Sequence, residues 1–174
     1  MRIMDEQISL VEPGAEFASE FLSMVAEYRQ AGEDYYTFVD GDFTTYLRRI
    51  DEMARDIRLP PGIVPMTTFW LVKDGRTILG ESKLRHRLTP ALEIEGGHIG
   101  YIIRPSQRRK GYGALILSLT LEKARDLGLV RVLVTCDTDN IGSARIIEKN
   151  GGVLAGQAVS HRSGKFVSQY WIEL

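Results

Sequence analysis

The sequence has 174 residues, enough for one domain with a substantial apolar core, and we predict a single domain over residues 1–174. Its 44% apolar and 26% charged residues are typical of a globular protein, and its formal net charge of −1 argues against a general nucleic-acid binder. No apolar run approaches the roughly 20 residues that a membrane span needs, and no signal-peptide pattern is present, so we expect a cytoplasmic protein. The single cysteine, Cys136, excludes an internal disulfide and a cysteine-based zinc site, and no metal site is predicted.

An edge strand and two helices are predicted in the N-terminal third. The strand is expected at residues 3–11, and residues 15–31 carry apolar side chains at helical spacing. Asp42, at the end of the turn 40–42, is the expected N-cap of a second helix, whose apolar face runs from Phe43 to Ile57 and which must end before Pro60. The loop between the two helices, residues 32–36, is acidic and aromatic.

A β-hairpin is predicted over residues 67–88. Asp74-Gly75 is a strong turn signal between two runs that are rich in strand-forming residues. On the returning strand the even-numbered residues 78–88 share one face. The other face, which we expect to be exposed to solvent, carries Glu81, Lys83, Arg85 and Arg87.

Residues 98–114 contain a strand, a basic glycine-rich turn and the start of a long helix, in that order. The strand is predicted at residues 99–103 and the helix at residues 112–127. The first amides of a helix have no partners inside it and carry the positive end of the helix dipole, so glycines at this point let an anion approach closely. We expect phosphate to bind here, at Gly111 and Gly113, with attraction from Arg108, Arg109 and Lys110.

The C-terminal third predicts another strand and helix, followed by a closing hairpin. Residues 129–136 form the strand, which we expect to run parallel to the strand 99–103 because a crossover helix joins the two. A short helix follows Asn140 and ends at Gly151-Gly152. Residues 153–161 and 165–174 are the two strands of the hairpin, whose outer edge offers a site for pairing two chains into a homodimer.

The central stretch is similar to a known family. Ile103-Arg104-Pro105 followed by Arg108-x-x-Gly111-x-Gly113 resembles the acetyl-CoA motif of the GNAT superfamily of N-acetyltransferases. The resemblance implies a mixed α/β, GNAT-like fold. Its central, mostly antiparallel sheet would carry helices on both faces and one parallel pair of strands splayed at the acetyl-CoA cleft.

The same resemblance implies a set of cofactor-binding residues. In the family the strand before the motif is splayed by a bulge, and its backbone binds the pantetheine arm and the thioester carbonyl, which points to Tyr101, Ile102 and Ile103. Asn140 and Ser143 match residues that contact the CoA arm at the second strand-to-helix junction, although an ordinary N-cap explains their composition almost as well. The implied contacts to the pyrophosphate are Arg108, Arg109, Lys110, Gly111, Tyr112, Gly113 and Ala114.

The implied activity is transfer of an acetyl group from acetyl-CoA, the co-substrate, to a primary amine of an unidentified acceptor. The acceptor partner would be a small amine or a peptide amine. In the family the first two helices and their connection form one wall of the acceptor site, so residues 32–36 are a candidate binding segment for a cationic amine. The alternative is a solvated loop with two packed tyrosines.

A general base is needed because an alkyl ammonium is mostly protonated at neutral pH. We favour Glu95 and His98 jointly as the catalytic residues, because both lie on or beside the strand that would carry the acetyl group; Glu81 on the neighbouring strand is a third candidate. A packed or hydrogen-bonded role is the alternative for His98. The family's tyrosine that protonates the CoA sulfur is replaced by Ile147, which leaves water, the backbone or another hydroxyl for that role.

Three other functions were weighed against acetyl transfer. A dinucleotide-binding domain is disfavoured because the third glycine of its motif is replaced by Ile116. A P-loop is excluded because no Gly-Lys-Ser/Thr follows the turn. The more serious alternative is a non-catalytic acyl-CoA-binding sensor or interaction module, which the isoleucine at position 147 favours.

Overall fold

The computed structural model describes residues 7–36 and 42–174. Within these ranges no helix is long and apolar enough to cross a membrane. The strands are β1 (Ile8–Val11), β2 (Met66–Lys73), β3 (Thr77–Arg85), β4 (Ile99–Ile103), β5 (Arg131–Asp137), β6 (Val153–Val159) and β7 (Phe166–Glu173). The helices are α1 (Ala18–Gln30), α2 (Phe43–Ala54), α3 (Pro90–Ile94), α4 (Tyr112–Asp126) and α5 (Ile141–Lys149).

The ends of the predicted N-terminal elements are shifted. One turn of 3-10 helix, Ala15–Phe17, precedes α1, and α2 ends at Ala54 rather than at the predicted Ile57. The N-cap prediction is confirmed, because the Asp42 carboxylate accepts a hydrogen bond from the Thr44 N–H at 3.2 Å. The first four residues of the predicted strand 3–11, together with Asp40 and Gly41, lie outside the described residues.

A helix was missed between β3 and β4. α3 begins at Pro90, and the Thr89 hydroxyl caps it by accepting from the Leu92 N–H at 3.3 Å. Proline is favoured in the first turn of a helix and threonine at its N-cap, so the signal was present in the sequence. The helix is only five residues long, too short for the apolar periodicity on which the prediction relied.

The described strands form two separate antiparallel sheets, with the orders β1-β2-β3-β4 and β5-β7-β6. The predicted parallel pair of β4 and β5 is therefore not found as a hydrogen-bonded ladder among the described residues. β5 lies beside β4, but its ladder partner is β7. One backbone hydrogen bond joins the sheets just before β4, from the His98 N–H to the Leu133 carbonyl at 2.7 Å.

The expected bulge in the strand before the basic turn is also not observed. The pairing of β4 with β3 runs without a register shift from Ile99 to Ile103. The opening between β4 and β5 instead arises because the two strands belong to different sheets, so that one edge of β4 is left without a strand partner in the described chain.

Helices cover both faces of the first sheet. On one face α1 and α2 pack an aromatic cluster, in which the Phe21 ring lies 4.9 Å from the Tyr46 ring and 5.1 Å from the Trp70 ring. On the other face α4 buries Ile116 and Leu117 completely. Burial of this much apolar and aromatic area is the main stabilising contribution to the fold.

The prediction that one face of β3 is exposed to solvent is wrong. Glu81 is only 2% exposed, because the pair α1 and α2 lies over this face of the sheet. Lys83 and Arg85 are partly buried on the same face, and Arg87, beyond the end of the strand, is exposed. The alternation was identified correctly, but it shows only that two faces differ and not what covers each of them.

Arg104, the central residue of the Ile-Arg-Pro segment, attaches α1 to the end of β4. Its side chain is 8% exposed and pairs with the carboxylates of Glu20 and of Glu27, the latter at 2.8 Å. It also donates to the Ser23 hydroxyl at 3.0 Å. A buried guanidinium with this many acceptors positions two elements firmly, so α1 is held directly beside the basic turn that follows β4.

Candidate active site

The turn before α4 leaves the start of the helix open. Gly111 adopts a left-handed conformation with a φ of 86° immediately before the helix, and Arg109 also has a positive φ, 60°. No side chain among the described residues caps this helix end. The amides of Tyr112, Gly113 and Ala114 therefore have no acceptors within the helix. Together with the positive end of the helix dipole, they form a cradle suited to an anion.

One edge of β4 directs backbone groups away from β3. The His98 carbonyl accepts a hydrogen bond from β3 at 2.7 Å, and the Arg104 N–H donates one to β3 at 2.9 Å. Because hydrogen-bonded residues alternate in an antiparallel pair, Ile102 also directs its N–H and carbonyl toward β3. The N–H and carbonyl groups of Tyr101 and Ile103 consequently face the opening between the two sheets.

A cavity of about 660 Å³ lies between β4, the basic turn and the first turns of α4 and α5. It is called the cofactor cavity below because residues predicted to bind the cofactor line it. Every residue predicted to bind the cofactor lines it except Lys110, whose ammonium donates to the Gln107 amide oxygen at 3.0 Å. The prediction missed five further lining residues. They are Gln107, Gly142, Arg145, Ile146 and Lys149.

Two of the missed residues, Arg145 and Lys149, add positive charge to the cofactor cavity. They are four residues apart on α5 and therefore lie on one side of that helix. This spacing of two basic residues was readable in the sequence. The apolar face and the N-cap of α5, which predict the helix, carry no information about this basic side.

The two walls of the cofactor cavity are joined by a hydrogen bond between Tyr101 of β4 and Ser143 of α5. Their hydroxyl oxygens are 3.0 Å apart. Asn140 orients this end of α5, because its side-chain oxygen accepts from the Ser143 N–H at 3.0 Å, as an N-cap does. Burial raises the pKa of the Tyr101 hydroxyl to about 12, although the hydrogen bond to Ser143 opposes this shift.

A second cavity of about 550 Å³, the acceptor cavity, lies on the other side of this hydrogen bond. It is bounded by β3, the segment before β4, the end of β5 and the closing hairpin. Four residues line both cavities and mark the point at which they meet, called the junction below. They are Tyr101, Ile102, Asn140 and Ser143.

Glu81 lies in the wall of the acceptor cavity next to the junction, where the β3–β4 ladder pairs it with Ile102. Its carboxylate accepts hydrogen bonds from the Trp70 indole N–H at 3.0 Å and from the Tyr46 hydroxyl at 3.3 Å. The Lys83 ammonium lies 3.4 Å from its other oxygen. These partners fix a buried carboxylate at the cavity wall.

Glu95 also lines the acceptor cavity. Its carboxylate accepts a hydrogen bond from the Ser160 hydroxyl at 2.6 Å and lies 3.8 Å from the Arg162 guanidinium. The closing hairpin, which supplies both partners, therefore holds this carboxylate in place.

His98 is directed toward β5. Its Nδ1 accepts a hydrogen bond from the Leu133 N–H at 2.9 Å, and its ring packs against Trp171 with centroids 6.2 Å apart. In the neutral ring the proton then resides on Nε2, so this nitrogen is a donor. Burial, and to a smaller extent the charge of Arg85, lower the pKa of His98. The residue is absent from the lining of both described cavities.

The acidic and aromatic loop 32–36 lines one cavity and pairs with the basic turn beside the other. Tyr35 lines the acceptor cavity. The Glu33 carboxylate instead forms a bidentate pair with Arg108 of the basic turn, with both N···O distances at 2.7 Å. Arg108 also donates through Nε to the Ile103 carbonyl at 3.0 Å. Glu33, one of the two acidic residues in this loop, is therefore engaged by the basic turn.

Two further side chains lack a catalytic role in this geometry. Ile147 is fully buried in the core, so it supplies no group to a leaving sulfur. Cys136 lines the acceptor cavity, but burial raises its pKa, and the thiol remains protonated at neutral pH. It acts there as a small apolar side chain.

A family model described as an acetyltransferase (GNAT) domain matches residues 25–153, which include β4, the basic turn, α4 and α5 around the cofactor cavity. The chain belongs to the GNAT acetyltransferase family. The predicted family and the N-acetyltransferase class are thereby confirmed, and GNAT homologues bind CoA or acetyl-CoA, the predicted co-substrate. No curated protein matches the sequence of this GNAT chain.

Solved GNAT structures share the fold at low sequence identity. The ribosomal L7/L12 alpha-N-protein acetyltransferase RimL, in complex with coenzyme A, has a TM-score of 0.72 and 14% identity, over 96% of this chain and 94% of that chain. The protein yncA from Salmonella typhimurium, with its cofactor acetyl-CoA, has a TM-score of 0.65 and 14% identity, over 96% and 94%. A chimera of the spermidine N-acetyltransferase SpeG from Vibrio cholerae and hSSAT has a TM-score of 0.68 and 14% identity, over 96% of this chain and 95% of that chain.

Proposed function

We propose that this chain transfers the acetyl group of acetyl-CoA, held in the cofactor cavity, to a primary amine held in the acceptor cavity. The observation that carries the proposal is the junction, where two cavities of suitable size meet at the same four residues. A donor and an acceptor that enter from opposite sides would bring their reacting ends together there. Positioning of this kind accounts for a large part of the acceleration in a two-substrate reaction.

The open amides at the start of α4 support binding of the CoA pyrophosphate. They are uncapped by any described side chain, and the left-handed Gly111 leaves room for close approach. Arg109, Arg145 and Lys149 line the same cavity and supply charge for the phosphates. Arg108 contributes through its backbone in this proposal, because its guanidinium is paired with Glu33.

The free edge of β4 is proposed to hold the pantetheine arm and the thioester. The N–H and carbonyl groups of Tyr101 suit hydrogen bonds to the amides of the arm. The Ile103 N–H, and not that of Ile102, is directed into the opening and is free to stabilise negative charge on the carbonyl oxygen. The opening between β4 and β5 thus takes the place that the splayed parallel pair was expected to provide.

Glu81 is proposed to accept the proton of the ammonium. It is a carboxylate fixed by three partners in the acceptor cavity, and the ladder places it opposite Ile102 at the junction. Glu95, one of the two residues favoured from the sequence, lines the same cavity but is held by Ser160 and Arg162 of the closing hairpin, and is assigned to acceptor binding. His98, the other, is not assigned the role, because its Nδ1 is occupied and its Nε2 carries the proton.

Tyr101 is proposed to assist departure of the CoA sulfur in place of the missing tyrosine on α5. Its hydroxyl lies at the junction, bonded to Ser143. With a pKa raised to about 12 by burial, it stays protonated at neutral pH and can donate a hydrogen bond to a leaving thiolate. This assignment is what separates an enzyme from a non-catalytic acyl-CoA sensor, the alternative that Ile147 favours.

The decisive experiment compares two substitutions that carry the same strain and the same added charge. Gly111 and Gly128 lie at opposite ends of the α4 segment, both with left-handed φ values, 86° and 88°, and both with open space where a Cβ would stand. We expect Gly111→Glu to abolish CoA binding in calorimetry and thiol release from acetyl-CoA, since it places a negative charge in the cradle. Gly128→Glu is expected to leave CoA binding close to that of the unmodified protein.

Equal CoA affinity in the two variants would refute the cradle assignment. CoA binding without thiol release, over a panel of primary amines, would favour the sensor.

Three broader expectations also stay proposals. We propose that residues 1–174 form one domain, since strands of both sheets line the acceptor cavity. We propose a homodimer that pairs the edge strand β6, where Val153 and Leu154 are 70% and 52% exposed. Light scattering that shows a monomer at high concentration would refute the dimer. The cytoplasmic location remains a prediction from the sequence.

A further inference from the structure

The charges around the acceptor cavity are unevenly compensated. Each carboxylate that lines the cavity has a cation nearby: Glu81 has Lys83 at 3.4 Å, Glu95 has Arg162 at 3.8 Å, and Asp137 has Lys165 at 3.8 Å. Arg85 lines the same cavity. Among the described residues it has no carboxylate within ion-pair distance, which makes it the uncompensated charge of this site.

The surroundings of Arg85 leave part of its guanidinium unused. Nη1 donates to the carbonyls of Gly96 and Gly97, both at 3.1 Å. An arginine carries five N–H donors on three nitrogens, so Nε and Nη2 retain donors for a ligand in the cavity. Burial, and then the charge of Arg162, lower the pKa of Arg85, yet an arginine remains charged at neutral pH.

The uncompensated charge lies at a defined distance from the reacting end of the cavity. Glu81, Lys83 and Arg85 alternate along one face of β3. At a rise of roughly 3.3 Å per residue, the backbone positions of Glu81 and Arg85 are about 13 Å apart. A molecule whose amine is at Glu81 can therefore place a second group, several bonds away, at Arg85.

We propose that the acceptor carries an anionic group, such as a carboxylate, several bonds from its reactive amine, and that Arg85 binds this group. The proposal rests on the proposed acetyl transfer and adds the acceptor's chemical class to it. The planar guanidinium fork matches the two oxygens of a carboxylate. A polyamine of the same length would instead bring a second ammonium against Arg85, with no free carboxylate there to receive it.

The test uses acceptors that differ only at the far end. Straight-chain amines of increasing length are compared as carboxylates, as their neutral amides and as diamines, with thiol release from acetyl-CoA as the readout. We expect the carboxylates of intermediate length to have a kcat/KM about tenfold or more above that of the amides and diamines. Arg85→Gln is expected to reduce the carboxylate value to that of the amide.

Two further variants serve as controls. Arg87→Gln removes an equal charge two residues farther along, from an exposed side chain outside the cavity lining, and should leave the preference unchanged. Arg85→Lys keeps the charge but not the fork, and should retain part of the preference. The midpoint of urea unfolding for each variant checks that the fold is intact.

A binding measurement distinguishes failure of this proposal from failure of the transferase assignment. The N-acetylated carboxylate product and its neutral amide are titrated into the CoA-loaded protein by calorimetry. If the carboxylate product binds more tightly than the amide, and Arg85→Gln abolishes that difference, the proposal is supported even if no amine is acetylated. Equal binding of the two products, or thiol release that is fastest with diamines, overturns the proposal of an anionic acceptor. Thiol release with any amine still supports the transferase function.

Discussion

The pair Glu33–Arg108 links the loop between α1 and α2 to the cofactor turn, and a double-mutant cycle measures that link. The two side chains form parallel hydrogen bonds of 2.7 Å, and the Arg108 guanidinium also lies 5.9 Å from the centroid of the Tyr28 ring. Glu33→Gln and Arg108→Gln each remove one charge, and the double variant removes both. The coupling free energy is the change in the free energy of unfolding caused by the double substitution, minus the sum of the changes caused by the two single substitutions.

The structure sets the expected size of this coupling. The side chains of Glu33 and Arg108 are 27% and 41% exposed, so water screens the attraction in part. Exposed ion pairs contribute about 0.2–1 kcal/mol, and a bidentate, half-buried pair belongs at the upper end, near 1 kcal/mol. The pair Asp51–Arg55 on α2, with side chains 53% and 67% exposed, is the matched control, for which about 0.3–0.5 kcal/mol is expected.

The coupling should also depend on pH. The hydrogen bond from Arg108 lowers the pKa of Glu33, and burial opposes this only in part. A carboxyl group with a lowered folded-state pKa stabilises the fold above its unfolded pKa of about 4.3, and this contribution is lost as the pH falls through the folded value. Urea unfolding of the four proteins at neutral pH and in acid measures both quantities. A neutral-pH coupling no larger than that of the control pair would refute the reasoning.

Three further perturbations follow from the site and its surroundings. Tyr101→Phe removes the hydroxyl that is hydrogen-bonded to Ser143 and should lower kcat, measured by thiol release, about tenfold or more. The CoA affinity, measured by calorimetry, should change less. An unchanged kcat would show that Tyr101 does not assist departure of the sulfur. Gly97→Ala places a Cβ against the Leu133 carbonyl at a φ of +59° and should lower the free energy of unfolding by at least about 1–2 kcal/mol in urea titrations. Burial lowers the pKa of His98, so its contribution to stability should be present above the unfolded pKa of about 6.5 and lost as the pH falls through the folded value. The free energy of unfolding is compared between the unmodified protein and His98→Gln from pH 7 to pH 5. A difference that does not change with pH would contradict this expectation.

The cofactor cavity was predictable because most of it comes from one short stretch of chain. Strand, turn and helix between residues 99 and 126 follow from local rules, namely a β-branched run, a proline that ends it, and glycines before an apolar helix. Local rules did not show how the strand pairs. The parallel partner expected for β4 was inferred from the crossover helix, but β5 hydrogen-bonds to β7 from the far end of the chain. That competition between strands is a tertiary property.

The acceptor cavity was less predictable because its wall is assembled from distant segments. The alternation along β3 predicts an exposed face for Glu81, yet the folded chain buries its carboxylate and supplies donors from Tyr46 of α2 and Trp70 of β2. A signal did exist: two amphipathic helices precede the hairpin, and their apolar faces must be covered by a sheet. α2 supplies a hydrogen bond to Glu81, and α4 supplies the amides of the cradle. The proposed acceptor binding and the proposed CoA binding therefore depend on different helices. A substitution on the buried face of α2 should therefore change acceptor use while leaving CoA binding intact.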